Sequence, residues 1–377
     1  MWGLASVLGP VLGGAFTASA GGWRWSFYIN LLIGVVTAPV MIFYLPSHNP
    51  QPGRSILHRM KKIDWLGIFL VTSALALFTL ALSFGGNQYA WKSGIVIGFF
   101  TASGVLTILF GISQLPSIIS GQTVERRIFP MHYFLRKDMV LLSIATGAGT
   151  CAMFAAIYYI PLFFQFTRGD SAIKAAVRLL PLIVLAVFTT VGSGAVLSMT
   201  GLYTPWYISG GVLVIIGYSL LHTITPTTND ANIYGYLILI GTGTGCFVNL
   251  GFSVAQAISL KSETEAAISF VMQGQLLGIV VGLAIAGSVF ITHATSDLVS
   301  LFPGVSQENV KDAIAGTNAA FLKSLPENVQ VEALDIIVRN MDRVYILGIV
   351  AGAVALLCGA FLTHRRLDMK GAAAGMG

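Results

Sequence analysis

The side chains with the means to do chemistry inside this chain are neutral and polar. Tyr158, Tyr159, Gln165, Asn249, Gln256, Gln273 and Gln275 lie within or at the ends of long apolar runs. A phenol or amide in such a setting must meet a hydrogen-bond partner on a neighbouring helix or line a water-filled path, because leaving it unpaired in hydrocarbon is costly. These groups can hold the polar part of a solute, but they carry no charge at neutral pH. Gln273 and Gln275 are two residues apart, about 200° around a helix, and cannot both face one cavity squarely. Interhelical hydrogen bonding is the competing role for each residue in the set.

A second feature is Gly9-Pro10-Val11-Leu12-Gly13-Gly14, in which Gly9, Pro10, Gly13 and Gly14 carry the pattern. Glycines let two helix backbones approach, and proline bends a span because it has no amide to donate. Other arrangements are missing from the sequence. There is no Ser-His-Asp set, no His-Glu-x-x-His and no paired carboxylate that would support catalysis, and the expectation is a non-enzyme. Cys151, Cys246 and Cys358 sit singly in apolar runs with no metal-ligand spacing, so no metal site, disulfide framework or cofactor is indicated. Gly241-Thr242-Gly243-Thr244-Gly245 has no following lysine and reads as helix packing, as do Gly278-x-x-x-Gly282 and Gly348-x-x-x-Gly352. His222 and His293 fall at span ends, where a solvated or capping histidine is ordinary.

The elements that must position these residues are membrane helices. Hydrophobic residues make up 55% of the chain and charged residues 10%, far below the roughly 25% of a soluble domain. Crossing about 30 Å of hydrocarbon takes about 20 mostly apolar residues. About ten runs reach or approach that length, near 1–20, 27–45, 65–84, 94–116, 139–165, 179–199, 205–221, 233–257, 266–291 and 345–363. The first could be taken for a signal peptide ending at Ala18-Ser19-Ala20, but no basic residue precedes it, and a retained span is the better reading. Lys and Arg gather in alternate connectors: Arg54, Arg59, Lys61 and Lys62; Arg126, Arg127, Arg136 and Lys137; Lys261; Arg365, Arg366 and Lys370. That bias predicts both termini on the cytoplasmic side. The net charge of +6 is spent there, which argues against nucleic acid as a partner and for the bilayer. The loop near 292–343 is expected to carry one or two short amphipathic helices on the outer face, around 310–314 and 331–337. No Asp, Glu, Lys or Arg lies within 140–164, 179–199, 233–257 or 266–291, so these runs hold no obvious proton carrier.

Several strings carry a resemblance. The glycine-proline element is followed by Trp23-Arg24-Trp25-Ser26-Phe27-Tyr28-Ile29-Asn30, then by Lys62-Ile63-Asp64-Trp65-Leu66-Gly67. Farther on come Tyr158-Tyr159-Ile160-Pro161-Leu162-Phe163-Phe164-Gln165, Gly169-Asp170-Ser171-Ala172 and Arg178-Leu179-Leu180-Pro181. Together they resemble the fungal fourteen-helix drug:proton antiporters of the major facilitator superfamily. The resemblance implies an all-α polytopic membrane protein of major facilitator fold. On its alignment, 1–46 would be spans five and six, 47–64 a cytoplasmic loop, 65–116 two linker spans and 117–138 a second cytoplasmic loop. Residues 139–364 would form a complete C-terminal six-helix bundle with its outer loop, and 365–377 a cytoplasmic tail. The first four spans would be missing, and with them the family's usual proton-carrying residues. The implied activity is proton-coupled efflux of drugs, toxins or other small amphipathic substrates, with Gly9, Pro10, Gly13 and Gly14 as the antiporter motif. The plasma membrane is the family's commonest address, and vacuolar members exist. The alternative is a non-transporting remnant or isoform that modulates a full-length transporter. The identity of any partner supplying the missing spans is unknown.

Overall fold

The computed structural model describes residues 9, 12–17, 19, 22–44, 60, 63–86, 88–115, 130–301, 310, 314 and 326–367. The helices are α1 (Trp25–Phe43), α2 (Trp65–Phe84), α3 (Gly94–Ser113), α4 (Lys137–Arg168), α5 (Ala172–Val177), α6 (Leu180–Thr200), α7 (Thr204–Leu221), α8 (Asp230–Phe247), α9 (Leu250–Ile258), α10 (Thr264–Leu301) and α11 (Glu327–Phe361). No strand occurs among the described residues; a single isolated bridge joins Gly85 and Tyr89. Among the described residues, nine helical stretches are long and apolar enough to cross a membrane, counting α5 with α6 and α8 with α9 as one stretch each. Most of the run near 1–20 lies outside the described residues, although 12–17 are helical.

Local chemistry accounts for the helix ends. Asp64 accepts the Gly67 amide at 2.8 Å and starts α2; Ser93 does the same for Val96 at the start of α3. The Asp64 carboxyl also receives Gln114 from the far end of α3 at 2.7 Å, which closes the α2–α3 hairpin at its base. At its other end the chain reverses through Gly86, at φ 72°, a backbone region that disfavours a side chain. Ser171 and Asn229 cap α5 and α8. Pro181 and Pro205 sit in the first turns of α6 and α7, where a missing amide costs nothing.

Helices α4 and α6 to α11 share one core. Here α10 and α11 pack on α4, α8 on α6 and α7, and α11 on α7. Small residues permit these crossings: a methyl group on Gly278 would lie 2.1 Å from the Gly147 carbonyl oxygen, so α4 and α10 touch backbone to backbone. On Gly241 it would lie 2.2 Å from the Leu182 carbonyl, in keeping with a packing role for that glycine-rich string. The α2–α3 hairpin leans on α10. In contrast, α1 has no buried residue.

One expectation is refined and one changes. The stretch read near 233–257 remains one membrane-length stretch, Asp230–Ile258, with a local irregularity at Val248 and Asn249, both still in the α region, between α8 and α9. The short loop helices around 331–337 are instead the start of α11, and α10 runs on to Leu301. The two helices go on packing against each other past the ends of their apolar runs, with Ala294, Leu298, Ala333, Ile337 and Met341 buried. Apart from Val310 and Ile314, both helical and buried, 310–314 lies outside the described residues.

Candidate functional site

The interruption between α8 and α9 is the centre of the candidate site. In an unbroken helix the Gly245 carbonyl would serve the Asn249 amide. Here that oxygen accepts the hydroxyls of Thr190, at 3.2 Å, and Ser193, at 3.4 Å, both from α6. The site is formed by sequence on two helices. Glycines on α8 bring it against α6, where Gly245 would place a methyl 2.4 Å from the Ala186 carbonyl, and α6 presents hydroxyls at that level. Side-chain rescue of freed carbonyls is what lets a broken helix persist in a membrane.

On the α9 side, two hydroxyls converge on Gly251. A methyl there would stand 2.4 Å from Thr146 Oγ1 of α4 and 3.3 Å from the Tyr207 hydroxyl of α7. Both residues are fully buried, and neither hydroxyl has a hydrogen-bond partner among the described residues. Asn249 sits at the break itself, half-buried, with no capping bond from its amide. The break is therefore flanked by the bonded hydroxyls of α6 and by the buried Thr146 and Tyr207 hydroxyls of α4 and α7.

The residues singled out in the sequence are not all brought together. Asn249 and Gln256 flank and occupy α9, which packs on α10, the helix of the half-buried Gln273 and Gln275. Tyr158 and Gln165 are both exposed and seven residues apart, hence about 20° apart around α4, on a stripe that faces away from the bundle. Tyr159 is different: it is buried among rings, 5.5 Å from Phe290 in an edge-to-face contact, and acts as core. In the glycine-proline element, Gly14 approaches α5, where a methyl would stand 2.9 Å from the Ala172 carbonyl; Gly9 and Gly13 have open space, and Pro10 lies outside the described residues.

Charged networks close the two ends of the bundle. At one end, Arg178 bridges Asp170, Asp230 at 2.5 Å and the Tyr234 hydroxyl at 2.8 Å, with its guanidinium 4.2 Å above the Phe164 ring. Arg168 adds Asp230 at 3.0 Å, and Lys174 adds Asp170 at 2.7 Å. Burial pushes the Asp170 carboxyl up, but the hydrogen bonds and charges of Lys174 and Arg178 outweigh it and hold the group below the usual range. At the other end, Tyr133 donates to the Glu263 carbonyl at 3.1 Å, Arg136 lies 3.5 Å from the Glu263 carboxylate, and the Asp138 carboxylate accepts the Thr363 hydroxyl at 2.9 Å. Sequence reasoning did not single out Thr146, Thr190, Ser193 or Tyr207, whose hydroxyls look like ordinary span residues. It met Asp170 and Arg178 only as letters in a string; two opposite charges eight residues apart around a short capped helix were the available signal.

The Major Facilitator Superfamily profile matches residues 1–283. The chain is 41% identical over 366 residues to an MFS-type transporter, pgmG, of Aspergillus terreus, covering 97% of this chain and 65% of that one. It is 41% identical over 377 residues to efflux pump alnA of Emericella nidulans, covering 99% and 68%. It is also 37% identical over 392 residues to a phomenoic acid biosynthesis cluster MFS-type transporter of Leptosphaeria maculans, covering 99% and 62%. The chain thus spans about two thirds of the length of these relatives. Among solved structures, a bacterial homolog of the human lysosomal transporter Spinster superposes with a TM-score of 0.49 at 15% identity, covering 95% of this chain and 81% of that one. On the profile match and these sequence identities, the chain belongs to the Major Facilitator Superfamily.

Proposed function

We propose that this chain is part of a transporter that exports small amphipathic molecules in exchange for protons, with the α8–α9 break as the flexing element beside its solute path. The observation that carries the reading is the break itself. A span interrupted at mid-length, its freed carbonyl held by Thr190 and Ser193 and its other side lined by the unpaired Thr146 and Tyr207 hydroxyls, is a place where a helix can bend without exposing raw backbone to lipid. Relatives whose names read efflux pump and MFS-type transporter support the same reading. In it, the end carrying Arg178 faces outward and both termini face the cytoplasm, at the plasma membrane, as the Lys and Arg bias suggests. The arrangement is that of a fourteen-helix antiporter, with Gly9, Pro10, Gly13 and Gly14 as the antiporter motif. Tyr158, Gln165, Asn249, Gln256, Gln273 and Gln275 then supply polar contacts along the path.

A second reading, a non-transporting chain that modulates a longer partner, is favoured by α1, none of whose residues is buried. One assay separates the two. Proton-gradient-driven uptake of a fluorescent amphipathic cation is measured in inside-out vesicles bearing the chain alone. Uptake that falls on Asn249→Ala supports transport; no uptake above empty vesicles refutes it for the isolated chain and favours the modulating role.

A further inference from the structure

The spans were read as lacking a proton carrier, yet a carboxyl lies just beyond the apolar run of the last one. Helix α11 is 35 residues long, roughly 52 Å, and exceeds the hydrocarbon thickness by a wide margin. Its membrane-crossing part is the apolar run that starts near Tyr345, so Asp342 stands at the mouth of the bundle, at the same end as Arg178. One carboxyl oxygen of Asp342 is buried and has no hydrogen-bond partner among the described residues. One turn along the same face, the Tyr345 hydroxyl is also buried without a partner, in a side chain that is fully enclosed. The Thr295 hydroxyl of α10, in a residue 2% exposed, is in the same condition.

No ion pair to Asp342 forms among the described residues: Arg339, three residues earlier on the same helix face, is exposed and makes none with it. On its own helix, Arg343 turns to Asn340 at 2.9 Å and to Asp297 at 3.9 Å, and Asp335 adds a like charge. From α10 come Asp297, itself engaged by Asn340 at 3.0 Å, and the exposed His293. Helix α7 offers Tyr218, whose hydroxyl bonds the Ala152 carbonyl, and His222, whose ring Nδ1 lies 2.9 Å from the backbone carbonyl of Asp342 and not from its carboxyl. From α4, Tyr159 lies beside Tyr345. A half-buried carboxylate with one oxygen enclosed and unpartnered, and a like charge nearby, is relieved by taking up a proton. Burial, with a smaller push from Asp335, raises the group to about 7.

We propose that Asp342 is a proton-binding carboxyl at the mouth of the C-terminal bundle, with the Tyr345 hydroxyl as partner of its protonated form. A proton from the adjoining solution converts carboxylate to neutral acid, whose O–H then has an acceptor one turn away; release returns the carboxylate. As the outward acid of an exchanger, the site rests on the transport reading above. As a proton site, it stands apart from that reading, on the buried, unpartnered carboxyl oxygen and the enclosed Tyr345 phenol beside it.

The test is an infrared difference titration of the purified full chain in nanodiscs, following the carboxylic-acid carbonyl band. Wild type is expected to show a band that titrates around pH 7, to lose it in Asp342→Asn, and to show it at a shifted frequency in Tyr345→Phe. If Asp342→Asn does not give a monodisperse protein, Asp342→Glu must move the midpoint of the same band. A wild type with no carboxyl titrating in the neutral range, or a band that survives Asp342→Asn unchanged, overturns the site. Vesicle uptake is measured on the same preparations: a titrating band without proton-driven uptake removes the transport reading and leaves the proton site standing.

Discussion

Removing Arg178 tests whether the charge network ties α4, α5 and α8 together or merely decorates the surface. The Asp170 side chain is 1% exposed and that of Arg178 is 11% exposed, so solvent screens this pair poorly. Arg178→Ala takes from Asp170 its enclosed partner and leaves Lys174, whose side chain is 65% exposed, as its remaining cation. It also strips Asp230 and Tyr234 of a donor and uncovers the face of Phe164. Breaking one side of a buried ion pair costs 3–5 kcal/mol, and this network stands at a bundle end with water nearby, so about 3 kcal/mol is expected. The assay is thermal unfolding of the chain in detergent, run as a double-mutant cycle with Asp170→Ala. Asp170→Ala alone should also destabilise, and the pair together should cost less than the sum of the singles. The pH dependence has a definite sign. A carboxyl held below its ordinary value of about 3.9 contributes stability that is fully present above that value and is lost as pH falls below it. The wild type should therefore lose its advantage over Arg178→Ala in acid. A loss under about 1 kcal/mol at neutral pH, or strictly additive singles, would show that the network behaves as a screened surface pair and would refute the reasoning.

Two further outcomes follow from the packing. Gly278→Ala drives a methyl to 2.1 Å from the Gly147 carbonyl and should destabilise by about 1–3 kcal/mol, whereas Gly98→Ala, which meets nothing within 4 Å, should be neutral or slightly stabilising; both are read by melting temperature. Thr190→Val with Ser193→Ala leaves the Gly245 carbonyl without its α6 donors and should cost about 1–3 kcal/mol, while either single change should cost less because the other hydroxyl remains. Equal losses from the singles and the double would contradict the shared role.

The membrane helices were legible because apolar length is a one-dimensional property, and a run of about 20 such residues needs no knowledge of its neighbours. The caps at Ser171 and Asn229 and the prolines at the starts of α6 and α7 are equally local. Asn249 stood out as an amide within an apolar run, but the interruption beside it did not. Its cause is shared between the α8 glycines and the α6 hydroxyls, more than 50 positions apart. Tyr158 and Tyr159 look interchangeable in the string, and only packing against Phe290 sends one into the core and leaves the other on the open stripe. Asp342 was passed over because residue counting assigned it to a loop; a long helix carries it instead to a half-buried place where one carboxyl oxygen is enclosed.

Composition and periodicity alone thus determined an all-helical membrane chain, its approximate crossings and the polar residues that those crossings must accommodate. Tertiary structure alone decided which of those residues meet, because hydrogen bonds and ion pairs form between groups that folding brings within about 3 Å, whatever their separation along the chain. The braced ends, the broken span and the unpaired carboxyl all arise at contacts between helices, where no single stretch of sequence holds both partners.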